Sequence, residues 1–283
     1  MKWCASCLLG WVAGCGVAAG AVLTGTASSP AGLQSVVDEF RGLVSAGGGN
    51  NGVGGSFADG RREVGWDVAS LDLVQVPAAM PGNFFNGSSP RGLVLATPGS
   101  LRVSGRAASG SRDVLFSTLN PGAANALQAF SPERLLALYG ATVVEASFFL
   151  PATPAQPGVV RGFGAVFADV GVVGASRLEA FGLGGDLLGA VDVPAAAGGL
   201  SFAGLWFDGG ERIASVRLTV GQAGMENTSG LLDVVALDEF IYGEPQPIPE
   251  PGSVLLLVLT GAALQIAGGR RAASLRLRCR GAR

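Results

Sequence analysis

The sequence predicts an all-β protein, a β-sandwich of jelly-roll type flanked by an N-terminal signal segment and a single C-terminal transmembrane helix. Glycine accounts for 46 and proline for 15 of the 283 residues, which is typical of short strands joined by tight turns. Between these turns lie short runs in which apolar and polar residues alternate, the pattern of a strand with one buried face. Near each end, the chain also contains an apolar run without alternation.

The N-terminal segment, residues 1–27, is predicted to be a signal peptide. Lys2 gives a short cationic start, residues 3–23 are almost all apolar or small, and Gly25-Thr26-Ala27 offers the small residues that a signal peptidase requires. We therefore expect signal peptidase to cleave near Ala27. An alternative is the lipobox-like sequence Val12-Ala13-Gly14-Cys15, in which Cys15 would become the acylated first residue.

Residues 28–242 are predicted to form one β-sandwich domain, which is long enough for a substantial core. The domain begins with a helix over Ser35–Val44, because Val36, Val37, Phe40 and Leu43 fall on one helical stripe. Residues 45–56 are rich in glycine and asparagine and predict a loop.

Ten alternating runs predict the strands of the domain. In the clearest run, Ile213–Val220, Ala214, Val216 and Leu218 fall on one face of a strand. Gly184-Gly185 suits a tight hairpin between two of the runs. The other nine are Gly92–Thr97, Leu101–Arg106, Asp113–Thr118, Thr142–Leu150, Gly162–Val170, Ser176–Phe181, Leu187–Val193, Leu200–Phe207 and Asp233–Tyr242.

The C-terminal segment predicts a membrane anchor. A Pro-rich linker, residues 243–252, leads into Ser253–Gly269, an apolar run whose helix would cover about 25 Å of a hydrocarbon core about 30 Å thick. The basic tail, residues 270–283, contains six arginines that would stay cytoplasmic and stop translocation. The alternative is a buried helix followed by a basic tail.

Composition excludes several classes of function. The chain has no histidine, so Ser-His-Asp and Cys-His catalysis and the usual His-containing zinc sites are ruled out. Residues 28–250 carry 12 arginines against 21 carboxylates, and this acidic balance argues against a nucleic-acid partner. The cysteines are Cys4, Cys7, Cys15 and Cys279, so the body can form no disulfide.

Pro249-Glu250-Pro251, the apolar run and Arg270-Arg271 follow one another within the last 40 residues. This arrangement resembles the PEP-CTERM sorting signal of exopolysaccharide-producing Gram-negative bacteria. The resemblance implies an exported precursor that is anchored in the membrane and processed near Pro-Glu-Pro by an exosortase, a membrane-embedded transpeptidase. The arginine tail is longer here than family members usually carry.

The body resembles a bacterial secreted domain that is often found ahead of such tails. The stretches that carry the resemblance include GNNGVGGSFADGRREVGWD, RGFGAVFADV, LSFAGLWFD and DVVALDEFIYGE. The resemblance implies one intact jelly-roll-like domain, similar in architecture to carbohydrate-binding modules.

Asp238 and Glu239 are the candidate metal-binding residues. Strict alternation over Asp233–Tyr242 puts these two carboxylates on opposite faces, so one of them must face the core. An unpaired buried carboxylate is costly and needs an arginine, backbone amides or a cation. Calcium is the possible cofactor, because it prefers carboxylate and carbonyl oxygens. A solvated or arginine-paired strand end is the alternative.

Arg61, Arg62, Trp66 and Asp67 are the candidate binding residues. They place polar groups around an aromatic ring, and sugar sites combine such a ring with groups that bond hydroxyls. The alternative is that Trp66 belongs to the core.

Together these features predict an exported cell-surface or extracellular protein that is not an enzyme and is associated with exopolysaccharide or binds carbohydrate. Its expected partners are signal peptidase, the exosortase, the membrane before processing, and polysaccharide. One alternative is a glycan hydrolase or lyase, since two carboxylates suffice for that chemistry. Another alternative is ice binding.

Overall fold

The computed structural model describes residues 20–67, 78–106 and 114–248. Contacts divide the chain into two units, residues 1–246 and residues 247–283, and the second unit lies almost wholly outside the described residues. Cys15, Pro249-Glu250-Pro251, the predicted transmembrane segment and Arg270-Arg271 also lie outside them. Within the described ranges, no helix is long and apolar enough to cross a membrane.

The described residues contain two helices and fifteen strands. The helices are α1 (Pro30–Ser45) and α2 (Pro121–Ala124). The strands are β1 (Ala21–Ala27), β2 (Arg61–Val64), β3 (Ala78–Ala79), β4 (Leu93–Ala96), β5 (Ser100–Val103), β6 (Leu136–Tyr139), β7 (Val143–Leu150), β8 (Thr153–Val159), β9 (Gly162–Val170), β10 (Arg177–Phe181), β11 (Leu187–Asp192), β12 (Ala196–Trp206), β13 (Ser215–Thr219), β14 (Ala236–Gly243) and β15 (Gln246–Pro247).

The strands form two antiparallel sheets, which confirms the predicted all-β class and is consistent with a sandwich. The first sheet has the order β1-β12-β9-β14-β6-β5-β3, and β2 also pairs with β14. The second sheet has the order β11-β10-β13-β7-β8, and β4 also pairs with β7.

Nine of the ten predicted strands are present, and Asp113–Thr118 is the exception. Residues 115–119 form turns, in which Ser117 donates its backbone N–H to the carbonyl of Val114. Leu115 and Phe116 are neighbours and both buried, so their apolar character reflects a packed turn and not one face of a strand.

The main core lies between the two sheets. Phe163, Phe240 and Tyr242 of the first sheet and Phe148 and Leu218 of the second belong to one buried cluster. The Phe163 and Phe240 rings meet edge to face, with centroids 5.2 Å apart.

Helix α1 covers the outer face of the first sheet, as the predicted apolar stripe requires. Phe40 of α1 packs on Phe202 of β12, with ring centroids 5.1 Å apart. Gly164 and Gly204 make room for Phe40, because a Cβ at either position would lie within 2.8 Å of its ring atoms. The first sheet therefore packs on both of its faces.

A bulge in β14 overturns the strict alternation predicted over Asp233–Tyr242. Leu237 pairs with Phe167 and Phe240 with Ala165, so two residues of β14 have no partner across this part of the ladder. Leu237 and Phe240 consequently both enter the core between the sheets. The residues inside the bulge are Asp238 and Glu239, the candidate metal ligands.

Candidate functional site

Asp238 is fully buried and receives its hydrogen bonds from residues 130–131. Its carboxylate accepts the backbone N–H of Phe130 and, at 3.0 and 2.7 Å, the N–H and hydroxyl of Ser131. Burial raises the pKa of Asp238 to about 7, although the hydrogen bonds from Ser131 and Phe130 favour the charged form.

Glu239 lies under α1, where it forms a pair with Glu63 of β2. Arg41 of α1 bonds both carboxyl oxygens of Glu239, at 2.9 and 3.0 Å, and also reaches Glu63 at 2.9 Å. Arg61 bonds Glu63 from the other side. Burial and the hydrogen bond to Glu63 raise the pKa of Glu239 to about 8, whereas the pKa of Glu63 is lowered. Near neutral pH the pair therefore holds one proton.

Asp238 and Glu239, the predicted calcium ligands, thus both accept hydrogen bonds from other groups of the protein. Asp238 accepts hydrogen bonds from amides and a hydroxyl, and Glu239 is paired with Arg41. Backbone amides and an arginine are two of the three routes considered for a buried carboxylate. Within the part of the chain that the structure describes, no three Asp, Glu, Cys or His side chains are grouped to hold a metal ion.

Arg62 holds the Gly/Asn-rich loop. Its side chain is fully buried and forms two hydrogen bonds to the carboxylate of Glu244, at 2.6 and 2.7 Å. It donates three more, each at 2.9 Å, to the carbonyls of Gly52, Gly54 and Gly55. All five guanidinium donors are thus used, and the loop is fixed to the end of β14.

Trp66 and Asp67, which follow β2, both form hydrogen bonds within the protein. The Trp66 indole is fully buried, donates its Nε1–H to the carbonyl of Asp238 at 2.8 Å, and packs on Phe240. It has no exposed face on which a sugar could lie. Asp67 accepts the backbone N–H of Glu133 at 2.6 Å, and burial raises the pKa of Asp67.

A polar cleft of about 270 Å³ lies beside this group of residues. Its lining includes Glu244, held by Arg62, together with Gln246, the exposed Asp59 and two arginines, Arg161 and Arg212. Phe57, next to the lining residue Ala58, is 49% exposed and stacks on the Arg62 guanidinium, 5.5 Å from its ring centroid. The arrangement combines cations, hydroxyl-binding groups and an exposed ring, and is suited to a polar ligand.

The sequence pointed to Arg62, which holds the cleft residue Glu244, but not to Arg161 and Arg212, which line the cleft. Arg61 and Arg62 stood out because they lie close to a tryptophan in the sequence, whereas Arg161 and Arg212 each directly precede an ordinary predicted strand. No pattern in the sequence marks them, because they come together only where Val160 and Ile213 pair across an antiparallel bridge.

A second cleft, of about 300 Å³, is acidic. Asp169 and Asp233 line it, together with Asn227 and Thr228. Burial and the nearby Asp169 raise the pKa of Asp233. Both carboxylates already accept backbone amides, of Gly198 and of residues 171–172.

Comparison with protein-family models, with curated proteins and with solved structures finds no match to this chain.

Proposed function

We propose that this is an exported, surface-associated protein without enzymatic activity, whose β-sandwich binds carbohydrate through the cleft of Arg161 and Arg212. The observation that carries the proposal is the composition of that cleft, in which charged and amide groups surround a small cavity next to an exposed aromatic ring.

A jelly-roll topology is part of the proposal. Its support is the strand order, in which eight strands are divided between the two sheets as the strands of two Greek keys are: β6, β7, β9, β10, β11, β12, β13 and β14. Taken in chain order, the sixth, third, eighth and first of them are neighbours in one sheet, and the fifth, fourth, seventh and second in the other. Jelly rolls occur in lectins, but the fold alone supports no particular ligand.

The hydrolase alternative gains no support from the described carboxyl pair. Glu63 and Glu239 hydrogen-bond each other and are engaged by Arg41 and Arg61 beneath α1, with side chains only 12% and 9% exposed. Glycoside hydrolysis requires two carboxyl groups that flank a bound sugar, about 5 Å or more apart.

The proposal includes export and sorting because of the two terminal segments of the sequence. The precursor would be anchored by residues 253–269 and processed near Pro249-Glu250-Pro251 by an exosortase, after a signal peptidase has removed the N-terminal segment. This route would bring the domain to the cell surface, where polysaccharide is available as a partner.

A glycan array tests the binding function. The full-length chain, purified in a non-ionic detergent, should bind immobilised bacterial polysaccharide fragments, and Phe57→Ala should weaken binding by about 1 kcal/mol if the ring packs on the sugar. Val173→Ala, which shortens another exposed apolar side chain, is the matched control. A complete absence of glycan binding by a folded chain would refute the proposal.

A further inference from the structure

We infer that the cleft recognises an acidic sugar, a uronic acid unit whose carboxylate is bound by Arg161 and Arg212. The inference rests on the proposed carbohydrate-binding function and specifies its ligand class. Its support comes from the position of the two arginines, from the state of the other arginines and from the remaining groups that line the cleft.

The two arginines flank an isolated antiparallel bridge that lies outside the strands named above. Val160 and Ile213 exchange backbone hydrogen bonds of 2.9 and 2.8 Å. Arg161 directly follows Val160, Arg212 directly precedes Ile213, and both arginines line the same cleft. Two guanidinium groups held beside one cleft repel each other, and a bound anion would offset that repulsion.

Neither arginine has such an anion in the described part of the chain. Arg161 and Arg212 form no ion pair there and stack on no ring, and Arg212 donates only to the backbone carbonyl of Glu211. Elsewhere Arg41, Arg61 and Arg62 are each engaged by buried or half-buried carboxylates. In a body with 21 carboxylates for 12 arginines, two adjacent arginines without one are left to bind an external anion.

The other lining groups favour a uronate over a simple anion. Asp59 is exposed at the cleft and can accept hydrogen bonds from sugar hydroxyls, which a simple anion such as sulfate does not offer. Gln246 can donate and accept, and it already bonds the carbonyl of Phe57. Glu244 is neutralised by Arg62. A uronic acid offers a carboxylate and hydroxyls in one small unit, which suits a cavity of about 270 Å³.

The first test compares two probes on the unmodified full-length chain in detergent. Oligogalacturonate should bind, and its methyl ester, which keeps the hydroxyls but lacks the charge, should bind about tenfold or more weakly. Affinity for the free acid should also fall as salt is raised, because ion pairs at an open cleft are screened. This comparison does not depend on how well any variant folds.

The second test locates the binding. Arg161→Gln and Arg212→Gln should each weaken oligogalacturonate binding about ten- to a hundredfold. Arg177→Gln, which removes the same charge from an exposed pair with Asp192, should leave affinity unchanged. Unchanged melting temperatures in the cleft variants would show that a loss of binding is local.

Three outcomes would overturn the inference. If neutral glycans bind as well as oligogalacturonate and both arginine variants bind normally, the carbohydrate proposal survives but the uronate assignment fails. If polyglutamate binds with the same dependence on Arg161 and Arg212, the cleft recognises an acidic peptide. If no glycan binds at all, the proposed function fails as well.

Discussion

At the scale of single residues, the buried carboxylates Asp238, Glu239 and Glu244 are each met by donors of the protein. The alternation over Asp233–Tyr242 predicted that a carboxylate at residue 238 or 239 would need a partner, but it did not indicate which residue supplies it. Ser131 and Arg41 lie 107 and 198 residues away from the carboxylates they bond, and only the fold brings them together. The pairing of Arg62 with Glu244 could not be predicted for the same reason, because the two residues are 182 positions apart.

Calcium removal is expected to have no effect on stability. The carboxylates of Asp238 and Glu239 already accept hydrogen bonds from Ser131 and Arg41, so a cation is not needed to offset their burial. The melting temperature of the full-length chain should be equal in excess calcium and in excess chelator. A fall of the melting temperature in chelator, accompanied by calcium in elemental analysis, would support a metal site.

Stability should depend on pH through Glu239. Its pKa is raised to about 8, above the value of about 4.3 for an unfolded chain, so between these values the native state holds a proton that the unfolded state has released. The free energy of unfolding should therefore fall as pH rises through this window, by up to about 1.4 kcal/mol per pH unit.

Glu239→Gln should remove this contribution, because the amide keeps a donor for Glu63 and an acceptor for Arg41 without titrating. Urea unfolding at pH 5 and pH 8 would show the variant gaining stability relative to the parent as pH rises. Asp238, whose raised pKa acts in the same direction, is unchanged in both proteins and cancels in the difference. Parallel pH profiles for parent and variant would contradict the proton-sharing arrangement.

Arg62→Lys should destabilise the domain by about 3 kcal/mol. A lysine has three donors in place of five, so some of the bonds to the buried Glu244 carboxylate and to the three loop carbonyls would be lost without replacement. Arg177→Lys, at an exposed ion pair, should change stability by less than about 0.5 kcal/mol. Urea unfolding of both variants measures the contrast, and equal effects would mean that the loop is not held in this way.

At the scale of elements, alternation of apolar and polar residues predicted the strands that bury one face. It did not find strands that are largely exposed or that continue an apolar segment. The predicted runs at β4, β7, β10 and β13 were correct because each buries alternate residues in the core. Strand β8 was missed because it is largely exposed and contains two prolines. Strand β1 was missed because its apolar residues continue the predicted signal segment.

The pairing of β1 changes the expected cleavage position. All of its residues, from Ala21 to Ala27, pair with β12, and Gly25 lies so close to α1 that a Cβ there would be 2.8 Å from Val36. Cleavage near Ala27 would remove this strand and expose the edge of β12, at a cost on the order of a few kcal/mol.

We therefore expect the exported protein to begin at or before Gly20. Mass spectrometry of the intact secreted or membrane-extracted protein would measure the first residue. An acylated Cys15 would also keep β1 and would identify the lipoprotein route. A first residue near 28 would contradict the expectation and mean that the mature fold does without β1.

At the scale of the whole molecule, charge divides the chain into an acidic body and a basic end. Residues 28–250 have nine more carboxylates than arginines, whereas residues 270–283 contain six arginines and no acid. An acidic domain can cross a membrane behind a signal peptide, but a cluster of arginines after an apolar run resists crossing. The chain is thereby predicted to be held with the domain outside and the tail inside.

The sorting prediction concerns Pro249-Glu250-Pro251. Prolines disfavour a helix at and before their own positions, so this segment should stay extended outside the bilayer, where an exosortase could engage it. Replacing the three residues with alanines should leave export intact but leave the protein uncut in the membrane. Deleting residues 270–283 should instead weaken membrane retention before any cutting occurs, because the arginines that stop translocation are gone.

The measurement is the size and membrane fractionation of parent and variants in a host that has an exosortase and in a host that lacks one. The parent should be shortened only in the first host, and the alanine variant should remain full length in both. Replacing Pro245 and Pro247 with alanine, outside the motif, is the matched control and should leave processing unchanged. If the alanine variant is released like the parent, or if cutting is equal in the two hosts, residues 253–269 form a permanent anchor and not a sorting signal.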